Sequence, residues 1–528
     1  MPARFEVLLF AALIVLAGFA AYANSFHGDF VLDDLVAIQG NPTIRQLLPL
    51  HDVLFPARDV VGEGNTVEGR PLLNLSFALN YVMGGLDVRG YHAVNLAIHL
   101  LAALLLFGIV RRTLLRPAFH QHAGHAASWL ALAVALIWAV HPLQTESVTY
   151  VVQRAESLMG LFYLLTMYLA IRSFESSATF LWRAGAVISC VLGMATKEVM
   201  ATAPWLVLLY DVVFVAGSLR VAWRERWRFY ACLMILGWAT LAALLLAAGG
   251  SNLGNMKALA EQLSGHEGAL KRGHEIHWLE YFRMQLWAVA RYVRLCFWPS
   301  PLVLYYGKDM AKSFWSVLPS ALFVALLLAG AIASWRRRRW IGFAAAWFFL
   351  ILAPTSSVVP LSGQTVAEHR MYLPLAAVIS LVVIGSFLLW QRLVKPADTP
   401  PGNQRGKPLP MAGFVILSVL LLALGGLTIA RNAVYRTDLS IWRDTVKKWP
   451  TNPVAHNNLA EVLLQKGALE EAKTHCEAAL KLDPDYAEAQ NNLGAAQLHL
   501  GDPREAAVHF QNAIEIKPDY PAAYNNLG

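Results

Sequence analysis

The sequence predicts an all-α protein in two parts, a polytopic bundle of transmembrane helices followed by a short α-solenoid. Three observations carry that prediction. Of the 528 residues, 57% are hydrophobic and only 15% charged, against about 25% charged in ordinary soluble domains. Apolar stretches near the ~20 residues needed to cross a bilayer recur from the N-terminus to about Ile429. Beyond them a 34-residue period takes over.

The apolar runs define eleven spans, at 8–24, 91–110, 126–140, 156–171, 181–196, 199–216, 229–249, 314–334, 340–353, 372–390 and 411–430. The first could pass for a signal peptide, with Ala21-Tyr22-Ala23 as a small-x-small site. The many spans that follow, and the charge count, favour a retained helix. Basic residues gather at the ends of the runs. Arg111, Arg112 and Arg116 follow the second span, and Arg220, Arg224, Arg226 and Arg228 the sixth. Arg336, Arg337, Arg338 and Arg339 follow the eighth, and Arg392, Lys395, Arg405 and Lys407 the tenth. With a cytoplasmic N-terminus every cluster falls on the inner side, whereas one miscounted span would scatter them. The net charge of +8 and pI near 9.2 therefore reflect membrane topology rather than nucleic-acid binding.

Segment 278–298 is apolar but interrupted by Glu280, Arg283, Arg291 and Arg294. If it crossed, the Arg336 cluster would lie outside, so it reads as a re-entrant or interface-lying helix on the outer side. Loops 25–90, 250–313 and 354–371 then face outward, as does everything after Ile429, and the Pro- and Gly-rich tract 395–410 is a cytoplasmic linker. The four cysteines, Cys190, Cys232, Cys296 and Cys476, are too scattered for a disulfide framework. The first three read as buried small hydrophobes in apolar surroundings, and Cys476 sits alone among the repeats.

In the last quarter Asn457-Asn458-Leu459 returns as Asn491-Asn492-Leu493 and again as Asn525-Asn526-Leu527. Leu459, Ala460, Ala472, Ala479 and Pro484 match Leu493, Gly494, Ala506, Ala513 and Pro518. This resembles the tetratricopeptide repeat, a helix pair per unit with small residues where the helices cross. Two units and the opening of a third are expected, with the helix around 438–448 capping the membrane side and the array truncated at Gly528. Domains are thus expected at 1–430 and 431–528. The arm serves either as structural support or as a concave surface for a protein segment.

Four polar groups map to the outer face. The first loop opens with Phe26-His27-Gly28-Asp29-Phe30-Val31-Leu32-Asp33-Asp34. Adjacent carboxylates at a membrane surface are costly unless hydrated, paired or used. One could act as general base while the other positions it or holds a cation; the alternative is helix capping. The second group is His141-Pro142-Leu143-Gln144-Thr145-Glu146 with Arg154 and Glu156; the third is Lys197-Glu198; the fourth is Glu368-His369-Arg370-Met371-Tyr372. Arg154, Lys197 and Arg370 could converge on phosphate oxygens, or could pair structurally with Glu146, Glu156, Glu198 and Glu368. No metal motif of useful specificity is present. His274 with His277 has helical spacing, and Asn74-Leu75-Ser76 fits the glycosylation acceptor pattern; both are weak signals.

Taken together, Gly28-x-Phe30-Val31-x-Asp33-Asp34, Asn41-Pro42, Arg70-Pro71, His141-Pro142-x-x-Thr145-Glu146, Arg154-Ala155-Glu156, Lys197-Glu198 and Glu368-x-Arg370-x-Tyr372-Leu373-Pro374 resemble the transmembrane and tetratricopeptide-repeat O-mannosyltransferase family and its bacterial relatives. The resemblance covers nearly the whole chain. It implies a GT-C-type transmembrane domain that takes a sugar from a polyprenyl-phosphate donor on the periplasmic or lumenal side. The expected acceptor is a protein or glycan, and the arm, emerging on the same outer side as Asp33, Asp34 and Arg370, is placed to present it to the site. The resemblance implies Asp33 and Asp34 as the catalytic position, without settling which is the base. Arg154, Lys197 or Arg370 would sit at the donor phosphate, with His141, Glu146, Glu156, Glu198, Glu368 and Tyr372 lining the site. No cofactor is required by this reading, although paired carboxylates permit a divalent cation. The resemblance leans towards a bacterial inner membrane over the endoplasmic reticulum. The competing classes are a flippase or transporter of lipid-linked sugars, for which no span carries a row of buried charges, and a non-catalytic scaffold acting through the repeats.

Overall fold

The computed structural model of the chain describes residues 3–57, 60, 66–117, 119, 123–247, 278–307, 314–356, 365–393 and 411–528. The expected linker 395–410 and the histidines at 274 and 277 lie outside these residues. Each of the eleven segments read as spans coincides with a helix. In chain order the long ones are α1 (Ala3–Tyr22), α4 (Val88–Leu114), α7 (Arg154–Ser173), α10 (Leu219–Ala247), α12 (Phe314–Arg337), α14 (Pro374–Leu393) and α15 (Met411–Val434). Shorter ones are α5 (Ala127–Ala139), α8 (Thr179–Met194), α9 (Ala203–Phe214) and α13 (Arg339–Leu352). Six of the long helices, all but α7, are apolar and long enough to cross a membrane alone, so the chain is a multi-pass membrane protein. Segment 278–298 forms α11 (Trp278–Phe297), which buries Tyr281, Met284, Ala288, Tyr292 and Leu295 at helical spacing.

The peripheral helices keep their apolar side chains outward. Leu326 and Ile332 of α12 are each 71% exposed, and Leu422 of α15 is 78% exposed, the pattern of a lipid-facing surface. Inside, α4 packs against α5 and α7, and α8 against α7. Small residues set the closest approaches. A Cβ at Gly160 of α7 would come within 2.5 Å of the Tyr372 ring.

Among the described residues, the basic clusters after the second, sixth and eighth spans collect at one end of the bundle. Thr113 and Tyr210 share a hydrogen bond of 3.0 Å, Arg112 and Arg116 both pair with Glu175, Arg226 pairs with Asp211 at 3.1 Å, and Arg339 donates to the Gly217 carbonyl. The opposite end carries the acidic turn at 31–34, with α2 (Leu50–Leu54), α3 (Pro71–Gly84) and α6 (Thr145–Thr149). There α5 breaks at His141-Pro142 and continues, after a bend of 55°, through a 3-10 turn into α6. The proline has no amide to continue the ladder, so the chain turns.

The repeat arm leaves from this same end. Its helices are α16 (Asp438–Lys448), α17 (Pro453–Gln465), α18 (Leu469–Leu482), α19 (Ala487–Leu500), α20 (Pro503–Ile516) and α21 (Pro521–Leu527). Helix α16 starts with a Thr437–Ser440 capping box, and α17 with Asn452 accepting the Ala455 amide ahead of Pro453. Glycine replaces alanine at 494 because a Cβ there would meet Phe510 at 2.7 Å. The arm is fastened to the membrane part by main-chain contacts. The Asp29 amide donates to the Arg436 carbonyl (3.0 Å), Lys448 Nζ to Leu302 O (3.0 Å) and Asn452 Nδ2 to Tyr305 O (2.9 Å).

Two sequence expectations change here. Cys232 of α10 is exposed and Cys296 half-buried rather than buried, while Cys190 and Cys476 are buried. Asn74 is fully buried, its amide donating to Thr43 Oγ1 and Val53 O and its oxygen accepting from Asn41, so the glycosylation pattern at 74–76 is structural.

Candidate active site

The two adjacent carboxylates have opposite surroundings. Asp34 is fully buried. Its Oδ2 accepts the Val31 amide at 3.1 Å and its Oδ1 the Val152 amide at 2.7 Å, so it closes the turn at 31–34 and ties it to the 3-10 turn Val151–Gln153. Burial pushes its carboxyl up to about 8, against the pull of the Val31 and Val152 amides and with a further push from Asp33. Capping of a following helix, the alternative reading of this pair, does not describe Asp34: it precedes the turn Leu35–Gln39 but makes no side-chain bond to it, and its oxygens go to Val31 and Val152 instead. Asp33 is exposed, and its amide donates to the Tyr150 hydroxyl at 3.0 Å. Surrounding protein raises the Asp33 carboxyl, while the Tyr150 hydroxyl and the His369 charge lower it. Its exposure leaves that rise partly screened by solvent.

His369 is brought close to Asp33 by the 3-10 turn Glu368–Met371. Glu146 grips this turn twice, accepting His369 Nδ1 at 2.8 Å and the His369 amide at 2.9 Å. Glu368 faces away. It accepts the Val303 amide and the Tyr306 hydroxyl, both at 2.7 Å, and lies 3.6 Å from Arg431 of α15. Arg431 in turn donates to Asp444 of α16 at 2.9 Å. Burial lifts the Glu368 carboxyl to about 7, with Arg431 opposing and Glu146 adding to the rise.

A second, basic group lies beside this. Lys197 donates to Glu156 at 2.6 Å in a buried pair, and Arg70 lies 3.7 Å from Glu198. Arg370, buried, donates to the Thr365 carbonyl at 2.9 Å and acts electrostatically on Glu198. Thus Arg70, Lys197 and Arg370 share one neighbourhood with two glutamates. A cavity of about 550 Å³ opens next to Arg70, walled by Leu54, Phe55, Pro71, Leu244 and Ala247, with His51 and Glu68 also on its lining.

Three expected site residues are committed elsewhere. Arg154 is fully buried, with Nε on Asn95 Oδ1 (2.6 Å), Nη1 on Ser76 O (3.2 Å) and Nη2 on Tyr91 O (3.0 Å). It joins α3, α4 and α7 and has no face left for a phosphate. His141 accepts the Leu143 amide and meets the Cys296 carbonyl at 3.2 Å. Tyr372 is core: its hydroxyl meets His99 Nδ1 at 3.0 Å, and its carbonyl accepts Trp138 Nε1 at 2.9 Å. Tyr150, His369 and Arg431 were not singled out beforehand. An arginine in the last turn of an otherwise apolar span was the available signal for the last of these. Among the described residues no three of His, Cys, Asp and Glu converge to hold a metal ion.

Fold and site together define a polytopic membrane protein whose acidic turn is joined to a tetratricopeptide-repeat arm. The tetratricopeptide-repeat family model matches residues 452–519. The chain is 24% identical over 476 residues to protein O-mannosyl-transferase F38B6.6 of Caenorhabditis elegans, covering 88% of this chain and 62% of that protein. It is 28% identical over 529 residues to protein O-mannosyl-transferase TMTC1 of Homo sapiens (90% and 55%). With TMTC4 of Mus musculus, also named a protein O-mannosyl-transferase, it shares 26% over 486 residues (84% and 63%). The family the sequence resembles is the family of these relatives. The chain spans between 55% and 63% of their lengths.

Proposed function

We propose that the protein is a membrane glycosyltransferase that moves a sugar, of the mannose class named in its relatives, from a polyprenyl-phosphate donor to a hydroxyl of a protein acceptor. The observation that carries this is the contrast within the acidic pair: one carboxylate built into the turn and the other, Asp33, presented open at the same end as the repeat arm. Asp33 takes the acceptor's hydroxyl proton as the oxygen attacks the anomeric carbon. The bond from that carbon to the phosphate oxygen breaks, the polyprenyl phosphate leaves, and the configuration inverts. A carboxylate held above its ordinary range is a better base when ionised.

Lys197, Arg370 and Arg70 are the cations for the departing phosphate, where charge gathers as the bond breaks. Pairing with Glu156 and Glu198 keeps Lys197 and Arg70 fixed between turnovers, and the Thr365 carbonyl holds Arg370. The cavity beside Arg70, mostly apolar but lined also by His51 and Glu68, suits a donor whose phosphate is basic-bound and whose tail is lipid-bound. A divalent cation at Asp33 would draw its other ligands from water and donor phosphate. The basic far end of the bundle is cytoplasmic by the positive-inside rule, which puts Asp33 and the repeats on the periplasmic or lumenal side.

The test is transfer in proteoliposomes carrying the full chain, with polyprenyl-phosphate sugars as donors, unfolded and folded proteins as acceptors, and mass spectrometry of the products. Mannosylated acceptor is expected. Absence of product with every donor, from protein that is inserted and folded, would overturn the reading.

A further inference from the structure

The turn that carries Asp33 is held in a conformation its sequence disfavours. Leu32 has a φ of 53°, and among the described residues it is the one non-glycine residue with positive φ. In that left-handed region the Cβ crowds the following carbonyl, which favours glycine over other residues by roughly five- to thirtyfold. Backbone strain of this kind persists only where neighbouring contacts impose it.

Besides the turn's own bonds from the Asp34 amide to the Val31 carbonyl and from the Leu35 amide to the Leu32 carbonyl, three side-chain acceptors impose it, one on each of the Val31, Leu32 and Asp33 amides. The Asp33 amide donates to the Tyr150 hydroxyl, and the Val31 amide to Asp34 Oδ2, both from within the membrane part. The third comes from the repeat arm: the Leu32 amide donates to Asp438 Oδ1 at 2.9 Å. Asp438 is the first residue of α16, where an acidic side chain ordinarily serves the helix start. That start is already satisfied, because Thr437 and Ser440 cap each other's amides. Asp438 Oδ1 is therefore spent on a loop more than 400 residues earlier in the sequence, at the residue preceding Asp33.

We propose that Asp438 is a positioning residue through which the repeat arm sets the orientation of Asp33. The inference rests on the reading of Asp33 as the base. It makes the arm part of the active site rather than an appended tether: the membrane part supplies side-chain acceptors for the Val31 and Asp33 amides, and the arm supplies the one for the Leu32 amide between them.

The experiment is steady-state transfer by the full chain in proteoliposomes, comparing Asp438→Ala, Asp438→Asn, Leu32→Gly, the Asp438→Ala/Leu32→Gly double variant and Asp33→Asn. Asp438→Ala is expected to lower kcat about tenfold with KM unchanged, the size of the penalty for a left-handed leucine released from its clamp. Asp438→Asn, which keeps an acceptor oxygen, loses less. Leu32→Gly in the Asp438→Ala background recovers most of the lost rate, since glycine adopts the turn without the clamp. Normal turnover by Asp438→Ala overturns the proposal, and so does a loss that Leu32→Gly fails to recover, which would mark general damage to the arm. Asp33→Asn separates the two readings. If it transfers sugar normally, the base assignment fails; if it is inactive while the Asp438 series behaves otherwise than expected, only the role of Asp438 fails.

Discussion

Replacing each carboxylate of the acidic pair by alanine should separate chemistry from stability. Asp34→Ala leaves the Val31 and Val152 amides without acceptors in a fully buried turn. Each orphaned amide costs about 1–3 kcal/mol, so the pair costs about 2–6. Part is regained because an acid whose pKa burial raises to about 8 is no longer buried, which leaves the net cost towards the lower end of that range, about 2 kcal/mol. Asp33→Ala removes an exposed carboxylate whose loss should change stability by no more than about 0.5 kcal/mol. The assay is thermal unfolding in one detergent, followed by tryptophan fluorescence, with sugar transfer measured on the same preparations. Midpoints are compared rather than converted, since a two-part membrane protein need not unfold in one step. Asp34→Ala should melt clearly lower and Asp33→Ala like the parent, yet Asp33→Ala should lose transfer. An Asp34→Ala protein as stable as the parent, or an Asp33→Ala protein equally destabilised, would refute the assignment of roles.

Three further outcomes follow from the same geometry. The base must be ionised, so transfer should fall as pH drops through the raised pKa of Asp33; Tyr150→Phe removes a contact that lowers that pKa and should move the acid limb to higher pH, and a shift downward or none would contradict it. Lys197→Met leaves Glu156 buried and unpaired, at a cost of about 3–5 kcal/mol; adding Glu156→Gln should restore the melting midpoint but not transfer, and recovery of both would make Lys197 purely structural. Gly494→Ala places a Cβ 2.7 Å from Phe510 and 3.0 Å from the Ala506 carbonyl, so proteolysis of the arm should accelerate as if destabilised by about 1–3 kcal/mol.

Much of the architecture was legible in the sequence because its signals are long and periodic. Apolar runs had to be helices in a bilayer, and a 34-residue period had to be a helix pair. The basic clusters were read to one side, and the contacts of Arg116 with Glu175 and Arg226 with Asp211 bring theirs to one end. The site was only partly legible. Charge and spacing nominated Arg154, yet its guanidinium is consumed by Asn95, Ser76 and Tyr91, residues whose convergence no local pattern announces. Asp33 and Asp34 are chemically identical neighbours, and what distinguishes them is the Val152 amide, 118 positions away. His369 sat unassigned between two nominated residues until the fold set Glu146 against it. Asp438 could be read as an ordinary helix-start acid; its partner is a strained leucine that only the folded turn reveals.

The most direct test of the central claim is single-turnover transfer by the full chain and its Asp33→Asn variant, reconstituted side by side with polyprenyl-phosphate mannose and a protein acceptor. The predicted result is inverted product from the parent chain and a loss of at least about a hundredfold in the variant, the scale of a general base removed, with insertion and melting unchanged. Parent-like turnover by Asp33→Asn would contradict the account.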